Sequence, residues 1–435
     1  MTGPVADDLV VGDEVEVEVG PVAHGGHCVA RYDGRVLFVR HTLPGERVRA
    51  RITEGGPGDR FLRADAVTVL DPSTERVPVR CPVAGPGGCG GCDFQHVSTA
   101  HQRELKGRVV AEQLQRLAGI ETRVQVEPLE DADGLRYRTR VEFAVAGGRI
   151  GLRRHRSHEI VPVTGCPIGV AEIDEALTET LAEVEGAPGD LEGIVALDVV
   201  VPSGEADTVV VEVPEGASTP PITVTENVAG AVGERSMTVD ARGFWQVHRD
   251  APRAFVEAVV AAAGVREGER VLDLYSGVGL FSVALAEAAG PQGQLVALES
   301  DRRATEHLRD NLGDQPWALV VPGRVDDLFG VPRKGRRRTD RRPARSDLVP
   351  PSADVVVLDP PRTGAGREVV AALSSLRPRR IVYVACDPAA LARDTAYLAD
   401  LGFAMTGLRA FDAFPMTHHV ECVATFEPTA QHGTA

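Results

Sequence analysis

Val271-Leu272-Asp273-Leu274-Tyr275-Ser276-Gly277-Val278-Gly279-Leu280 decides the fold. An apolar run, Val271 to Leu274, reads as a buried strand. It opens into a turn at Gly277 and Gly279, and an apolar helix, Phe281 to Ala289, follows. Glycines at that point permit a tight turn and let a ligand approach the backbone. The third glycine of the dinucleotide fingerprint is missing, so the loop is a weak signal for a nicotinamide cofactor. Gln294 to Leu298 reads as the next strand and ends at Glu299, where an acid can accept hydrogen bonds from ribose hydroxyls. Strand, glycine loop, helix, strand, acid is the order of a nucleoside-binding half sheet. The plain alternative is an ordinary βαβ unit with a solvent-facing Glu299.

Two further apolar runs extend this sheet. Asp354 to Leu358 leads into Asp359-Pro360-Pro361-Arg362-Thr363-Gly364-Ala365-Gly366, a turn that the prolines stiffen and the glycines free again. Ile381 to Ala385 ends at Cys386-Asp387-Pro388. Pro388 cannot extend a ladder, so Cys386 is expected at the strand's carboxyl end, where open α/β sheets bind ligands. A buried structural cysteine is the alternative. Thr417 to Ala424 reads as a late strand, with Glu421 pointing into the cleft or standing on a sheet edge.

The set Asp359-Pro-Pro-Arg, Tyr383-x-x-Cys386-x-Pro388, Leu391-Ala392-Arg393-Asp394 and His419-Val420-Glu421, with Phe244-Trp245-Gln246 upstream, resembles the RNA uridine C5-methyltransferases. The resemblance extends over nearly the whole chain. It departs at His248, Leu280 and Asp387, where that family often has Asn. The resemblance implies a C-terminal Rossmann-like methyltransferase fold using S-adenosylmethionine. It implies that Cys386 is the nucleophile and Glu421 the base, and that Gln246, Tyr275, Gly277, Gly279, Glu299 and Asp359 hold the cofactor. The residue types suit the chemistry. C5 of uracil is a poor nucleophile until a thiolate adds to C6, and a base must then remove the C5 proton. A uracil stacked in a helix is unreachable, so the target base is flipped out or lies in a loop.

At 435 residues the chain is long for one core, and three parts are expected. They are a small β-barrel over residues 1–70, a central α+β region over 71–240 and a catalytic domain over 241–435. In the first, Val15, Val17 and Val19 alternate with Glu14, Glu16 and Glu18, and Asp33-Gly34 is a hairpin turn. Val48, Ala50 and Ile52 then alternate with Arg47, Arg49 and Arg51, so one face packs while the other presents three guanidiniums or a solvated edge. Short strands with Gly turns suggest a five-stranded barrel of the OB type, which resembles the RNA-binding TRAM domain.

The seven cysteines of a thiol-reducing, cytoplasmic chain need a reason other than disulfides. Cys81, Cys89 and Cys92 lie in a Gly-rich stretch, and Cys166 follows about seventy residues later. Four thiolates suit zinc or a [4Fe–4S] cluster. Spacing alone leans to zinc; the resemblance implies the cluster, although the first gap is longer than usual. Ala100 to Leu117 reads as an amphipathic helix. Arg136, Arg138, Arg140, Arg149, Arg153, Arg154 and Arg156, interleaved with Tyr137 and Phe143, form a basic zone that can meet phosphate and unpaired bases or stand as a solvated charged face.

A net charge of −16 argues against a general nucleic-acid binder, and RNA contact then needs a local positive field such as the arginine zones supply. The run Arg333 to Arg342 reads as a disordered basic insertion. No apolar run approaches a membrane span, and Met1 to Leu9 does not read as a signal peptide. A monomer acting on RNA is expected, with 23S ribosomal RNA favoured over transfer RNA by the resemblance. The competing readings are an RNA-binding relative without turnover and a cytosine C5-methyltransferase; intact Cys386 and Glu421 oppose the first, and the TRAM-like barrel with Tyr383-x-x-Cys386 opposes the second.

Overall fold

The computed structural model describes residues 8–129, 133–186, 191–204, 206–230, 233–332 and 344–429. The basic run Arg333 to Arg342 lies outside them. Strands β1 (Glu14–Val22), β2 (Cys28–Tyr32), β3 (Arg35–Arg40), β4 (Arg47–Glu54) and β5 (Phe61–Asp71) close into a barrel in the order β1-β2-β3-β5-β4. The expected alternation is realised, with Val15, Val17, Val19, Val48, Ala50 and Ile52 turned into the barrel core. Asp33 and Gly34 both have positive φ, 45° and 85°, which suits the tight β2–β3 turn. The arginine face differs from expectation. Arg51 binds Glu14 at 2.7 Å, Arg49 binds Glu16 at 3.2 Å and Arg47 binds Asp71 at 2.8 Å. The antiparallel β1–β4 register sets Glu14 and Glu16 opposite Arg51 and Arg49, so acids of β1 occupy those two guanidiniums, while Asp71 of β5 holds Arg47.

Helix α1 (Thr99–Ala118) leaves the barrel, starting at the Ser98 cap and stopping at Gly119, whose φ of 68° suits a left-handed cap. Leu105 and Val109 belong to the barrel's core cluster, whereas Val110 and Leu114 belong to that of the catalytic sheet. The helix is thus covered on two sides, which is why it buries Gln102, Lys106 and Gln113. Strand β6 (Val126–Pro128) follows. Next, β7 (Arg140–Ala146), β8 (Arg149–Arg153), β9 (Ile160–Pro162), helix α2 (Ala171–Gly186), β10 (Ile194–Val200) and β11 (Val209–Pro214) build an antiparallel sheet ordered β11-β10-β7-β8-β9, with α2 on its core. Hairpin β12 (Thr223–Gly230) and β13 (Gly233–Asp240) completes this region.

The central basic zone is also largely occupied. Arg140 forms a buried pair with Glu226 at 2.8 Å, Arg136 meets Asp174, Arg154 meets Glu159 and Arg156 meets Glu54. Tyr137 and Phe143, expected beside RNA bases, are 1% and 0% exposed. Tyr137 stacks on His248 at 4.9 Å and donates its hydroxyl to the Pro415 carbonyl. Burial in the core removes both rings from any RNA surface.

The catalytic layer comprises α3 (Ala251–Ala263), β14 (Arg270–Leu274), α4 (Ser282–Ala289), β15 (Gln294–Glu299), α5 (Arg302–Leu312), β16 (Ala318–Pro322), α6 (Val325–Leu328), β17 (Val355–Leu358), α7 (Arg367–Ser374), β18 (Arg380–Ala385), α8 (Pro388–Asp400), β19 (Phe403–Asp412) and β20 (Glu421–Pro428). The sheet runs β16-β15-β14-β17-β18-β20-β19-β6. The first five are parallel, β20 is antiparallel to both neighbours, and β6 adds itself to the far edge. Apolar clusters cover both faces, as near-continuous apolar strands require. The late strand begins at Glu421, not Thr417. Met416, with φ 65°, and the Thr417 hydroxyl, bonded to the Phe414 carbonyl, make a turn there instead. No helix among the described residues is long and apolar enough to cross a membrane.

One buried ion pair fastens α1 to the catalytic sheet. Lys106, fully buried, binds Asp412 at 2.5 Å and the Phe414 carbonyl at 2.9 Å. Removing the ammonium strands a carboxylate without a counter-charge. Lys106→Ala should therefore destabilise the fold by about 3–5 kcal/mol, read as a lower denaturation midpoint in urea. A midpoint matching the unsubstituted protein would show that the pair is dispensable.

Candidate active site

Strand β14 delivers its end to the glycine loop under strain. Tyr275 has φ 61°, and Gly277 and Gly279 have φ 55° and 95°. Nothing lies within 4 Å of where a Gly277 side chain would begin, so that backbone faces open space. A side chain on Gly279 would meet Leu308 at 2.5 Å. The missing side chain at Gly279 allows α5 to pack closely against the loop. The Glu299 carboxylate closes the loop. It accepts from the N–H groups of Gly277 at 2.9 Å, Ser300 at 2.5 Å and Asp301 at 2.7 Å. Three backbone donors fix its direction and leave lone pairs for a ribose diol.

These groups border a cleft of about 1100 Å³. Gln246, Tyr275, Gly277, Glu299, Asp359, Cys386 and Glu421 all line it. Phe244, 76% exposed, stands at its wall. Cys386 also lines a second cavity of about 230 Å³, on the side facing the barrel. The thiol therefore lies between two spaces.

Strand pairing sets Cys386 beside Glu421. In the β18–β20 register Ala385 opposes Cys422, so the next residue of one strand opposes the previous residue of the other. Glu421 is buried, and burial followed by the Asp359 charge pushes its carboxyl well above the usual range, with Arg362 opposing. Asp359 is raised to about 7 by burial and by Asp273. Asp273 is raised to about 7 by burial and Glu299, against a 2.5 Å bond from the Ser282 hydroxyl. Burial, then Glu421 and Asp359, pushes the Cys386 thiol up to about 12. One cause runs through all four groups: an enclosed space rich in carboxyls that favours an incoming positive charge. A sulfonium with an α-ammonium group is such a ligand, and these residues fit it.

Asp394 was quoted in a motif without a role, and the structure supplies one. Its Oδ2 accepts from the Tyr383 hydroxyl at 2.7 Å, from Ala365 N–H at 2.7 Å and from Gly366 N–H at 3.2 Å. A side chain on Gly364 would meet Oδ2 at 2.7 Å. Asp394 thereby clamps the Asp359-Pro-Pro loop to the strand that carries Cys386. The electrostatic parts of the buried Asp273 carboxyl and of the Arg362 guanidinium were not foreseen either; each acts on groups distant along the chain.

The four expected ligand cysteines are buried and unpaired. Gly91 N–H points at the Cys89 sulfur at 3.3 Å, and the Gln95 amide at the Cys92 sulfur at 3.6 Å. Burial, followed by Cys166, Cys89 and Cys81 together, raises Cys92 to about 12. All four thiols are thus within electrostatic reach of one another. Among the described residues, however, no three His, Cys, Asp or Glu side chains form a group that could hold a metal ion.

The fold and cleft define a nucleoside-binding methyltransferase joined to a small β-barrel, and comparison with known proteins narrows that class. The TRAM domain profile matches residues 9–67, and the tRNA (Uracil-5-)-methyltransferase profile matches residues 231–427. An uncharacterized RNA methyltransferase of Streptomyces coelicolor is 46% identical over 98% of this chain and 96% of its own. The 23S rRNA (uracil(1939)-C(5))-methyltransferase RlmD of Alkalilimnicola ehrlichii is 30% identical over 96% of this chain and 97% of its own. The crystal structure of Pyrococcus abyssi tRNA (uracil-54, C5)-methyltransferase with S-adenosyl-L-homocysteine superposes with a TM-score of 0.68 at 22% identity, covering 95% of this chain and all of that one. The chain belongs to the TRAM-containing, S-adenosylmethionine-dependent RNA uracil-C5 methyltransferases.

The raised acids give cofactor binding a pH dependence. A bound cation favours the ionised Asp359, so binding releases a proton and tightens as pH rises through about 7, levelling off above. Titration calorimetry from pH 6 to 8.5 should show this for S-adenosylmethionine, and more weakly for S-adenosylhomocysteine, which lacks the sulfonium charge. Equal pH dependence of the two ligands would remove the carboxyl cluster from sulfonium recognition.

Proposed function

We propose that this enzyme methylates C5 of a uridine in 23S ribosomal RNA through a covalent bond between Cys386 and C6. The observation that carries the reading is the placement of Cys386 against Glu421 on the wall of the cofactor cleft. When bound, S-adenosylmethionine supplies a methyl group on a sulfonium, and with it a positive charge that favours the ionised carboxyls. Gln246, Tyr275, Glu299 and Asp359 hold it against the open backbone at Gly277. The Cys386 sulfur adds to C6 while its proton passes to solvent at this half-buried position, and the ring electrons move onto O4 as an enolate, so that C5 becomes nucleophilic. Once C5 carries the methyl group, Glu421 takes the C5 proton. The C5–C6 double bond re-forms and the sulfur is expelled. The choice of ribosomal RNA is supported by similarity to the RlmD relative along nearly the whole chain. Similarity to an enzyme of 23S ribosomal RNA supports a cytoplasmic site of action.

Two variants separate these roles. Cys386→Ala should bind S-adenosylmethionine yet transfer no methyl group to RNA. Glu421→Gln should complete addition and methylation, then stall, leaving a protein–RNA band that survives denaturation. Normal turnover by Glu421→Gln would remove that residue from the mechanism. Mapping labelled methyl groups in total RNA decides the substrate: label in 5-methyluridine of transfer RNA, with none in ribosomal RNA, would overturn the 23S assignment.

Cys81, Cys89, Cys92 and Cys166 are proposed to carry a [4Fe–4S] cluster. A cluster takes each thiolate on a different iron and so accepts a wider spread than the tight tetrahedron of a single zinc. The resemblance, with its Cys-x-x-Cys pair, earlier Cys and distant Cys-Pro, favours the cluster over zinc, and the four buried thiols lie within electrostatic reach of one another. Protein purified without oxygen should be brown and contain iron and sulfide, and Cys89→Ser should bleach it and lower its melting temperature. Colourless protein with one zinc per chain would replace the cluster with a zinc site.

A further inference from the structure

One barrel side chain, His24, meets the residue that follows the reactive cysteine. The β1–β2 turn, residues 23–27, lies over the smaller cavity beside Cys386. Its His24 Nε2 meets the Asp387 carboxylate at 3.0 Å. Asp387 follows Cys386 directly and caps α8 by accepting from Ala390 N–H at 2.8 Å. The same turn is seated at a second point, because a side chain on Gly26, whose φ is 79°, would meet the Cβ of His418 at 2.7 Å.

We propose that His24 is a positioning residue: by binding Asp387 it seats the barrel's first turn over the nucleophile, so that RNA held by the barrel is delivered to Cys386 in register. The proposal rests on the reading of Cys386 as the reacting thiol. The cap on Ala390 holds Asp387 without help from His24, so the thiol stays placed when the pair breaks. What breaks is the seat of the barrel. The loss therefore falls on the KM for RNA more than on kcat.

The charges around His24 set its pH behaviour. The Asp387 hydrogen bond raises its pKa above the ordinary value, while burial, Arg116 and Arg393 lower it. Lys106, Arg362, His418 and His419 line the same cavity. With the folded pKa raised, the charged pair is fully present below about pH 6.5 and is lost as pH rises through the raised value. Nearly two-fifths of the His24 side chain is exposed, so the effect is modest.

The test is steady-state methylation of a 23S ribosomal RNA transcript by the full-length protein from pH 6 to 9. His24→Gln should raise the KM for RNA about three- to tenfold at acid pH, with a smaller change in kcat. It should also flatten the rise of KM with pH seen in the unsubstituted protein. His24→Lys keeps a cation throughout this range and should restore a low KM without the pH dependence. Asp387→Asn preserves the cap and should flatten the profile as His24→Gln does, and the two effects should not add. Identical pH profiles for the unsubstituted protein and His24→Gln, or His24→Lys behaving as His24→Gln, overturn the proposal. Iodoacetamide alkylation of Cys386, read by peptide mass spectrometry, tests the seat without RNA. His24→Gln should react faster than His24→Lys, and equal or reversed rates overturn the seat whether or not the transcript is methylated. Methylation by Cys386→Ala would instead refute the nucleophile.

Discussion

The antiparallel return of β20 against β18 is the constraint on which the active site depends. Parallel strands bring their carboxyl ends to one edge of the sheet, which gathers the Gly277 loop, Glu299, Asp359 and Cys386. A strand running the same way could offer only its last residue there. Because β20 is reversed, it offers its first, and Glu421 arrives beside Cys386 across a hydrogen-bonded ladder. A thiol and a carboxyl far apart in sequence are thereby held by backbone geometry instead of by flexible loops.

That arrangement has an electrostatic consequence. Asp273, Asp359 and Glu421 all lie at the same buried edge, and each raises another or is raised by burial. Buried acids with little compensation cost stability, as strained or polar active sites often do. The Arg362 guanidinium opposes this at Glu421 and Cys386. The remaining field suits a cationic ligand, and it keeps the Cys386 thiol protonated while no substrate is present. The Asp394 clamp limits how far the Asp359 loop can move as the charge balance changes.

The net charge of −16 becomes intelligible at the surfaces. Arginines of the barrel and central sheet that read as phosphate contacts are largely held by facing acids. The exposed barrel pairs among them contribute little to stability, unlike the buried Arg140–Glu226 pair. They do restrain nonspecific attraction to RNA, because a guanidinium already facing a carboxylate projects a weaker field.

The strands of the catalytic sheet, the glycine loop, the Asp33-Gly34 hairpin and the alternating barrel strands were legible in the sequence, because period-two burial and turn chemistry are local properties. Helix α1 was legible for the same reason. Seven of the residues that line the cleft, Gln246, Tyr275, Gly277, Glu299, Asp359, Cys386 and Glu421, were assigned to the site through motif resemblance, whereas Arg362 was not. What the sequence left open required partners distant along the chain. Whether an arginine is free depends on the residue opposite it in the register. Whether Tyr137 is a stacking platform or a core ring depends on what covers it. The pairs Lys106–Asp412 and His24–Asp387 join residues about three hundred or more positions apart. By itself the sequence determined which segments become strands and helices and which residue types could perform the chemistry. Only the tertiary structure decided which charges meet, because Coulomb interaction and desolvation depend on distance and burial in space, and neither is encoded in local pattern.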